Sequence, residues 1–338
     1  MDDTLYGYRD RKGDWRPKEP LATAPLFDFP PRPRALLAWL PSYFLPWNAL
    51  YFALAALFWF FLTPSLETMR TLSWDWTLWI LLRNSLAVLL FYGVFELRLY
   101  IRRAQGTRFK YNARFPSDTS RKALLLGRQD LDNMARSFGS GVPIWSGYEI
   151  LILWVFANGW APMASFAEHW PWLLAILVMA KVFHEAHFYL IHRFIHIPWL
   201  YARVHSVHHQ AVNPSPWSSL SMHPVEHLLY FSGSLVHLVI FSHPLLAVYQ
   251  LCYAGFGAIG GHLGFDRIET GRDRAIDTES YDHYLHHKLF EVNYGSGLVP
   301  FDRCFGTWHD GTVEADARMQ ARRRRNKQAA PRHQAPAG

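Results

Sequence analysis

Sixteen of the eighteen histidines in this chain fall between His184 and His309, where they alternate with long apolar runs. Three groups stand out by spacing: His192-Arg-Phe-Ile-His196, His205-Ser-Val-His208-His209 and His283-Tyr-Leu-His286-His287. Imidazole is a neutral nitrogen ligand suited to iron, zinc or copper. Eight of them in three groups can hold more than one ion. Surface chemistry does not require such a concentration, and a soluble core would be burdened by it. The combination points to a polynuclear metal site at a membrane.

Half the residues are hydrophobic and 16% are Phe, Trp or Tyr, which is rich for a soluble protein. Apolar stretches predict transmembrane helices at about Tyr43–Leu62, Trp76–Phe95, Ile144–Pro162 and from Trp170 into the first histidine group. Each is close to the ~20 residues a helix needs to cross the hydrocarbon. Arg83 and Asn84 interrupt the second; a charge at that depth is costly, so Arg83 should face protein or water. Two shorter pieces, Val225–Phe241 and Leu245–Gly260, joined by Ser242-His243-Pro244, read as a helical hairpin dipping into or crossing the bilayer. The expected fold is all-α and integral to the membrane, with four transmembrane helices, a helical hairpin and a cytoplasmic histidine-rich cap. The expected organisation is an extended arm over residues 1–35, a first transmembrane pair with a basic loop over 36–143, a catalytic domain over 144–310, and a basic disordered tail over 311–338. The first apolar run begins too late for a signal peptide, and nothing repeats at a fixed period.

Charge sets the expected orientation. Arg102, Arg103, Arg108, Lys110, Arg114, Arg121, Lys122, Arg128 and Arg136 lie between the second and third spans. The opposite connections hold Arg70 alone. By the positive-inside rule the basic loop, both termini and every histidine group face the cytoplasm, of a bacterial inner membrane or an endoplasmic reticulum. The net charge of +7 sits beside apolar spans, which favours anionic lipid headgroups over nucleic acid as partner. Two cysteines, Cys252 and Cys304, exclude a disulfide scaffold or a four-thiolate cluster.

On a helix, residues four apart differ by about 40° around the axis, so His192 and His196 share a stripe. Glu185 lies about 20° from His192 and is expected to accept a ligand N–H, fixing the imidazole's tautomer. His184 and His187 fall off that stripe and read as packed or hydrogen-bonded structural residues. Adjacent residues diverge by about 100°, so His208 and His209, and likewise His286 and His287, can reach two different ions. His262, set between glycines after an apolar run, looks like a ligand delivered close to backbone, and His223, before a proline, is a further candidate. His227 could equally line a core, while His237, His243 and His309 lack partners at ligand spacing. Hairpin aromatics Trp217, Tyr230, Phe231, Tyr249 and Tyr253 either line an apolar substrate slot or pack as core. A metalloprotease would need HExxH, a zinc finger would need thiolates, and a bundle di-iron protein would need Glu-x-x-His pairs; none is present.

HxxxH followed by two HxxHH groups on a four-span scaffold resembles the membrane fatty acid hydroxylase and sterol desaturase superfamily, over about residues 145–310. Asn213-Pro-Ser-Pro-Trp217, His223-Pro-Val-Glu226 and Phe290-Glu-Val-Asn-Tyr-Gly295 look like the sterol C5-desaturase (lathosterol oxidase) branch. The family usually has Asp where Glu185 stands. The resemblance implies a non-haem centre of two iron ions that activates O2 and attacks an unactivated C–H bond of a lipid. It implies His192, His196, His205, His208, His209, His262, His283, His286 and His287 as ligands, with His223 as a tenth. No haem, flavin or ferredoxin signature is present, so electrons must come from a separate cytochrome b5-like or ferredoxin-like donor. Arg102, Arg103, Lys122 and Arg128 would attract an acidic one. The competing readings are a fatty acyl or other polar-lipid hydroxylase, and a histidine-rich membrane metal transporter. A transporter would place its ligands near the middle of its spans rather than at their ends.

Overall fold

The computed structural model describes residues 1–118, Lys122 and 124–329, and the protein is mostly helical. Arg121 of the basic loop and residues 330–338 of the expected tail lie outside the described residues. Among the described residues, three helices are long and apolar enough to cross a membrane: α3 (Trp74–Ile101), α4 (Gln129–Ala157) and α5 (Phe166–Ile195). The first expected span is instead a bent pair, α1 (Pro33–Phe44) and α2 (Trp47–Leu62), which meet at 41° and pass the same test only when taken together. The break falls at Pro46, which has no N–H to continue the ladder of α1.

The solvent of these helices is legible in α3. Leu78, Leu82, Leu86, Leu90 and Val94 recur every fourth residue, and all are 48–69% exposed. The opposite face buries Trp76, Ile80, Arg83, Asn84, Val88 and Tyr92. A soluble chain rarely leaves such an apolar stripe uncovered, whereas a helix in lipid does so and keeps its polar groups inside. Arg83 shows how: its guanidinium donates to Glu149 Oε1 at 2.5 Å, to Asn84 Oδ1 and to Thr63 Oγ1, and lies 4.2 Å from the centre of the Phe58 ring. Asn84 Nδ2 in turn donates to Glu149 Oε2 at 3.0 Å. The charge is thus neutralised between α3 and α4.

The second arm of the expected hairpin is enclosed by protein on all sides. It is α8 (Pro244–Gly257), in which Pro244 to Phe256 are all buried against α2, α4 and α5. A helix apolar all round belongs in an interior. Gly255 makes the approach possible, since a Cβ there would lie 2.2 Å from the Trp145 ring. The first arm is a short helix, α7 (Pro224–Phe231), continued by a 3-10 stretch over Ser232–Leu238.

Residues 7–17 and 313–329, near the two chain ends, depart from expectation. The N-terminal arm folds into an antiparallel hairpin, β1 (Gly7–Arg9) with β2 (Trp15–Pro17), and buries Trp15 in the cap. A second hairpin, β3 (Arg267–Gly271) with β4 (Arg274–Asp277), follows α8. The basic tail, read as disordered, forms α10 (Val313–Ala329). Its Ala, Arg, Met and Gln residues are strong helix formers, and Ala315 and Met319 anchor it by burial. The cap also contains α6 (Pro198–Arg203) and α9 (Tyr281–Leu289).

Candidate metal centre

Four segments deliver imidazoles to one region of the cap. The last turn of α5 carries His192, with His196 as its C-cap. Pro198 then starts α6, which turns the chain back into a 3-10 segment, His205–Gln210. α9 presents His283, His286 and His287. His262 ends a short 3-10 turn begun by Gly260, and Gly261 leaves room for α9: a Cβ there would lie 2.9 Å from the His283 ring.

The nine side chains form two groups. His192, His196, His205, His209 and His286 make the first; His208, His262, His283 and His287 make the second. Within each, one ring nitrogen per residue lies within 4.8 Å of all the others. Both adjacent pairs divide: His209 and His286 turn to the first group, His208 and His287 to the second. The groups adjoin, with the His209 and His287 rings 4.9 Å apart.

The nitrogens that converge are Nε2 atoms. In the first group the separations are 3.1 Å for His192–His205, His196–His286 and His209–His286, and 3.3 Å for His196–His209. In the second they are 3.2 Å for His208–His262, His262–His287 and His283–His287, and 3.1 Å for His208–His287. Ligands at a metal–nitrogen bond of about 2.1 Å are spaced ~3.0 Å apart in an octahedron and ~3.4 Å in a tetrahedron.

The opposite ring nitrogens decide whether a cation fits. His208 Nδ1 lies 3.2 Å from the Ser221 carbonyl and His262 Nδ1 lies 2.9 Å from the Ala258 carbonyl. A carbonyl only accepts, so each Nδ1 carries the proton and each neutral ring aims a bare lone pair from Nε2. Those two lone pairs face each other at 3.2 Å, which is repulsive unless a cation lies between them. His192 and His286 are set the same way by the Tyr294 and Val292 carbonyls, each at 2.7 Å. Protonation is opposed: burial lowers His208 to about 4 and His286 to about 3. Burial, reinforced by neighbouring imidazoles, holds His205, His209, His262, His283 and His287 well below the usual range. The histidine clusters are compatible with metal binding, and their donor set suits a first-row transition metal.

Two of the expected residues stand elsewhere. Glu185 is buried but accepts from Ser296 Oγ at 2.5 Å rather than from an imidazole. The carboxylate beside the cluster is Glu226, whose Oε1 lies 2.8 Å from His205 Nδ1. Burial pushes the Glu226 carboxyl well above its usual range, and positive charge transmitted through His205 is what would ionise it. The segment His223-Pro-Val-Glu226 was conspicuous in the sequence, but nothing local says that Glu226 reaches across to His205. His223 belongs to neither group: its Nδ1 accepts from Val225 N and caps α7. A histidine before Pro224 is at the N-terminus of a helix, where a side-chain acceptor is wanted.

Five further histidines have structural partners. His227 bonds to Ser140 Oγ and the Leu220 carbonyl, His237 to Ser242 Oγ and Gln250 Oε1, and His187 to Ser232 Oγ. His243 caps α8, and His309 lies 3.3 Å from Asp316. Among the hairpin aromatics, Trp217 packs on Tyr92, Phe231 on Trp145, and Tyr249 bonds Asn48, all within the helical core. Tyr230 and Tyr253 flank His184, and Phe188 joins Tyr230 to His192 and His283. That file of rings runs from the helix bundle to the imidazoles.

Residues 152–307 match the model of the fatty acid hydroxylase family. The chain is 28% identical over 156 residues to a Delta(7)-sterol 5(6)-desaturase of Gibberella zeae, covering 44% of this chain and 46% of that protein. It is 31% identical over 159 residues to a Delta(7)-sterol 5(6)-desaturase of Aspergillus fumigatus, with 41% and 49% covered. It is 30% identical over 141 residues to methylsterol monooxygenase 1 of Danio rerio, with 41% and 48% covered. The chain therefore spans about half the length of these relatives. No solved structure matches it.

Proposed function

We propose that this chain, a fatty acid hydroxylase family member over residues 152–307, is a membrane-bound lipid oxidoreductase. It holds two iron ions in the two histidine groups and uses O2 with externally supplied electrons to desaturate or hydroxylate a lipid, with a sterol as the favoured substrate. The observation that carries this reading is the convergence of nine imidazole nitrogens from four segments into two adjoining groups. The similarity to sterol desaturases and a methylsterol monooxygenase supports both the substrate class and the two possible outcomes.

Bound iron supplies the activation of O2 and the removal of hydrogen from an unactivated C–H bond. The chain's own groups do the rest. His192, His196, His205, His209 and His286 would hold one ion, and His208, His262, His283 and His287 the other. The Tyr294, Val292, Ser221 and Ala258 carbonyls and Glu226 keep protons on the outward nitrogens, so the inward ones stay available as ligands. Phe188, Tyr230 and Tyr253 form an apolar wall that excludes water and guides a lipid from the bundle toward the imidazoles. Desaturation and hydroxylation differ in which C–H bonds that wall presents, not in the ligands.

The cap faces the cytoplasm in this reading, and an acidic electron donor docks on its basic side, where Arg102, Arg103, Lys122 and Arg128 are exposed. A metal transporter is disfavoured because the imidazoles lie at the end of α5 and in the cap rather than along a path through the bundle. The test is iron content of the purified protein, followed by lipid mass spectrometry of cells with and without the gene, supplemented with candidate sterols. A product lighter by two hydrogens marks desaturation, and one heavier by an oxygen marks hydroxylation. An iron-free protein refutes the reading, and an unchanged lipid profile with iron present refutes the substrate class. A changed acyl chain in place of a sterol would make the enzyme a fatty acyl or polar-lipid hydroxylase.

A further inference from the structure

We propose that the N-terminal hairpin, residues 7–17, is a positioning element for the metal centre, acting through Trp15 on the helix that carries His283, His286 and His287. This inference rests on the two-ion reading, but it concerns a segment far outside residues 152–307.

The argument begins with the two faces of α9. At about 100° per residue, Tyr281, Tyr284, Leu285 and Lys288 fall on one side and the three histidines on the other. The histidine side is occupied by the two groups of imidazoles. The other side must therefore set how the helix is rotated about its own axis. There, Tyr111 stacks on Tyr284, with ring centres 4.8 Å apart at 26°, and lies 5.0 Å from Tyr281. Tyr111 is held in turn by the hairpin. Trp15 N donates to the Tyr111 carbonyl at 3.0 Å, and the Trp15 ring, 1% exposed, meets Phe109 edge-on at 5.7 Å and Tyr111 at 6.1 Å.

Asp14 ties the same three parts together. Its Oδ1 accepts from Ala113 N, and its Oδ2 accepts from Lys288 Nζ on α9, both at 3.0 Å. Further along, Asp3 Oδ2 accepts from Phe109 N at 3.1 Å and Arg9 donates to the Thr107 carbonyl at 2.7 Å. The hairpin is shaped for this contact: a Cβ at Gly7 would lie 2.2 Å from the Trp15 ring. The hairpin and residues 107–113 thus form one block clamped against the outer face of α9. A displacement of about 1 Å is enough to spoil a pre-set ligand geometry. α9 supplies two of the four nitrogens of the second group but one of the five of the first, so loosening it should weaken the second group more.

The test uses the full-length protein, stripped of metal and titrated anaerobically with ferrous iron, with binding at each site followed by its near-infrared circular dichroism. Trp15→Ala is expected to weaken the second ion by about tenfold or more, and the first by no more than about threefold. Trp15→Phe, which keeps an aromatic ring, should restore most of the loss. Asp14→Asn should weaken the second ion about threefold; its partly exposed pair with Lys288 contributes little to stability, so that variant decides the matter if Trp15→Ala does not fold. The proposal is overturned if a folded Trp15→Ala binds both ions as tightly as the unsubstituted protein. It is also overturned if both ions weaken equally, in step with a lower unfolding temperature. Unsubstituted protein that takes up no iron would sink the two-ion reading itself, a result distinct from either.

Discussion

Replacing Glu226 by alanine removes the carboxylate 2.8 Å from His205 Nδ1 at a position only 4% exposed. The Nδ1–H is then left without an acceptor, and the ring loses the contact that fixes its aim. A hydrogen bond to a charged group contributes about 1.5–3 kcal/mol and one between neutral groups about 0.5–1.5 kcal/mol. Alanine should therefore cost the first group's ion about 2–3 kcal/mol, or roughly 30- to 160-fold in affinity. Glutamine keeps an oxygen in place but not the charge, so it should cost about 1–1.5 kcal/mol, roughly tenfold. The assay is competitive chelator titration of each ferrous site in detergent. The second group does not include His205 and serves as an internal reference. If the alanine variant binds its first ion at unchanged affinity, the bond does not hold the imidazole. If glutamine is as damaging as alanine, the charge accounts for the whole effect and the retained oxygen for none of it.

Other expectations follow from the same geometry. Arg83→Ala strands the buried Glu149 carboxylate and should cost about 3–5 kcal/mol, seen as a lower unfolding temperature in detergent; an apolar double replacement of Arg83 and Glu149 should recover most of it. The cluster histidines have depressed pKa values, such as about 4 for His208, so below the usual ~6.5 the unfolded chain binds more protons than the fold does. The metal-free protein should accordingly lose stability as pH falls from about 6.5 toward 4, and an unfolding temperature flat across that window would contradict it. Glu185→Gln and His223→Ala should both leave two ions bound, with His223→Ala losing about 1 kcal/mol of stability through its cap. A lost ion in either variant would return that residue to the metal site.

What could be read from the chain was local. The stripe shared by His192 and His196 and the divergence of His208 from His209 and of His286 from His287 follow from helical turn angles alone. So does the prediction that His184 and His187 are structural, whereas the sequence leaves His227 open. The polar interruption at Arg83 required a partner inside the bundle, and Glu149 supplies it. The same local logic failed where a side chain's reach depends on another segment. Glu185 shares a helix face with His192, yet Ser296, brought in by the chain after α9, takes its carboxylate. The basic, polar tail composition suggested disorder, yet in residues 313–329 the cap offers Ala315 and Met319 a surface to bury against.

The sequence by itself determined that the protein is a helical membrane chain with clustered imidazoles, because apolar run length and residue spacing act through the periodicity of a single helix. Only the tertiary structure decided which imidazoles group together, that Glu226 rather than Glu185 adjoins them, and that the N-terminal hairpin lies behind α9. Those are contacts between segments up to 274 residues apart, and hydrogen-bond directions across such separations are set by how helices pack rather than by the order of residues along any one of them.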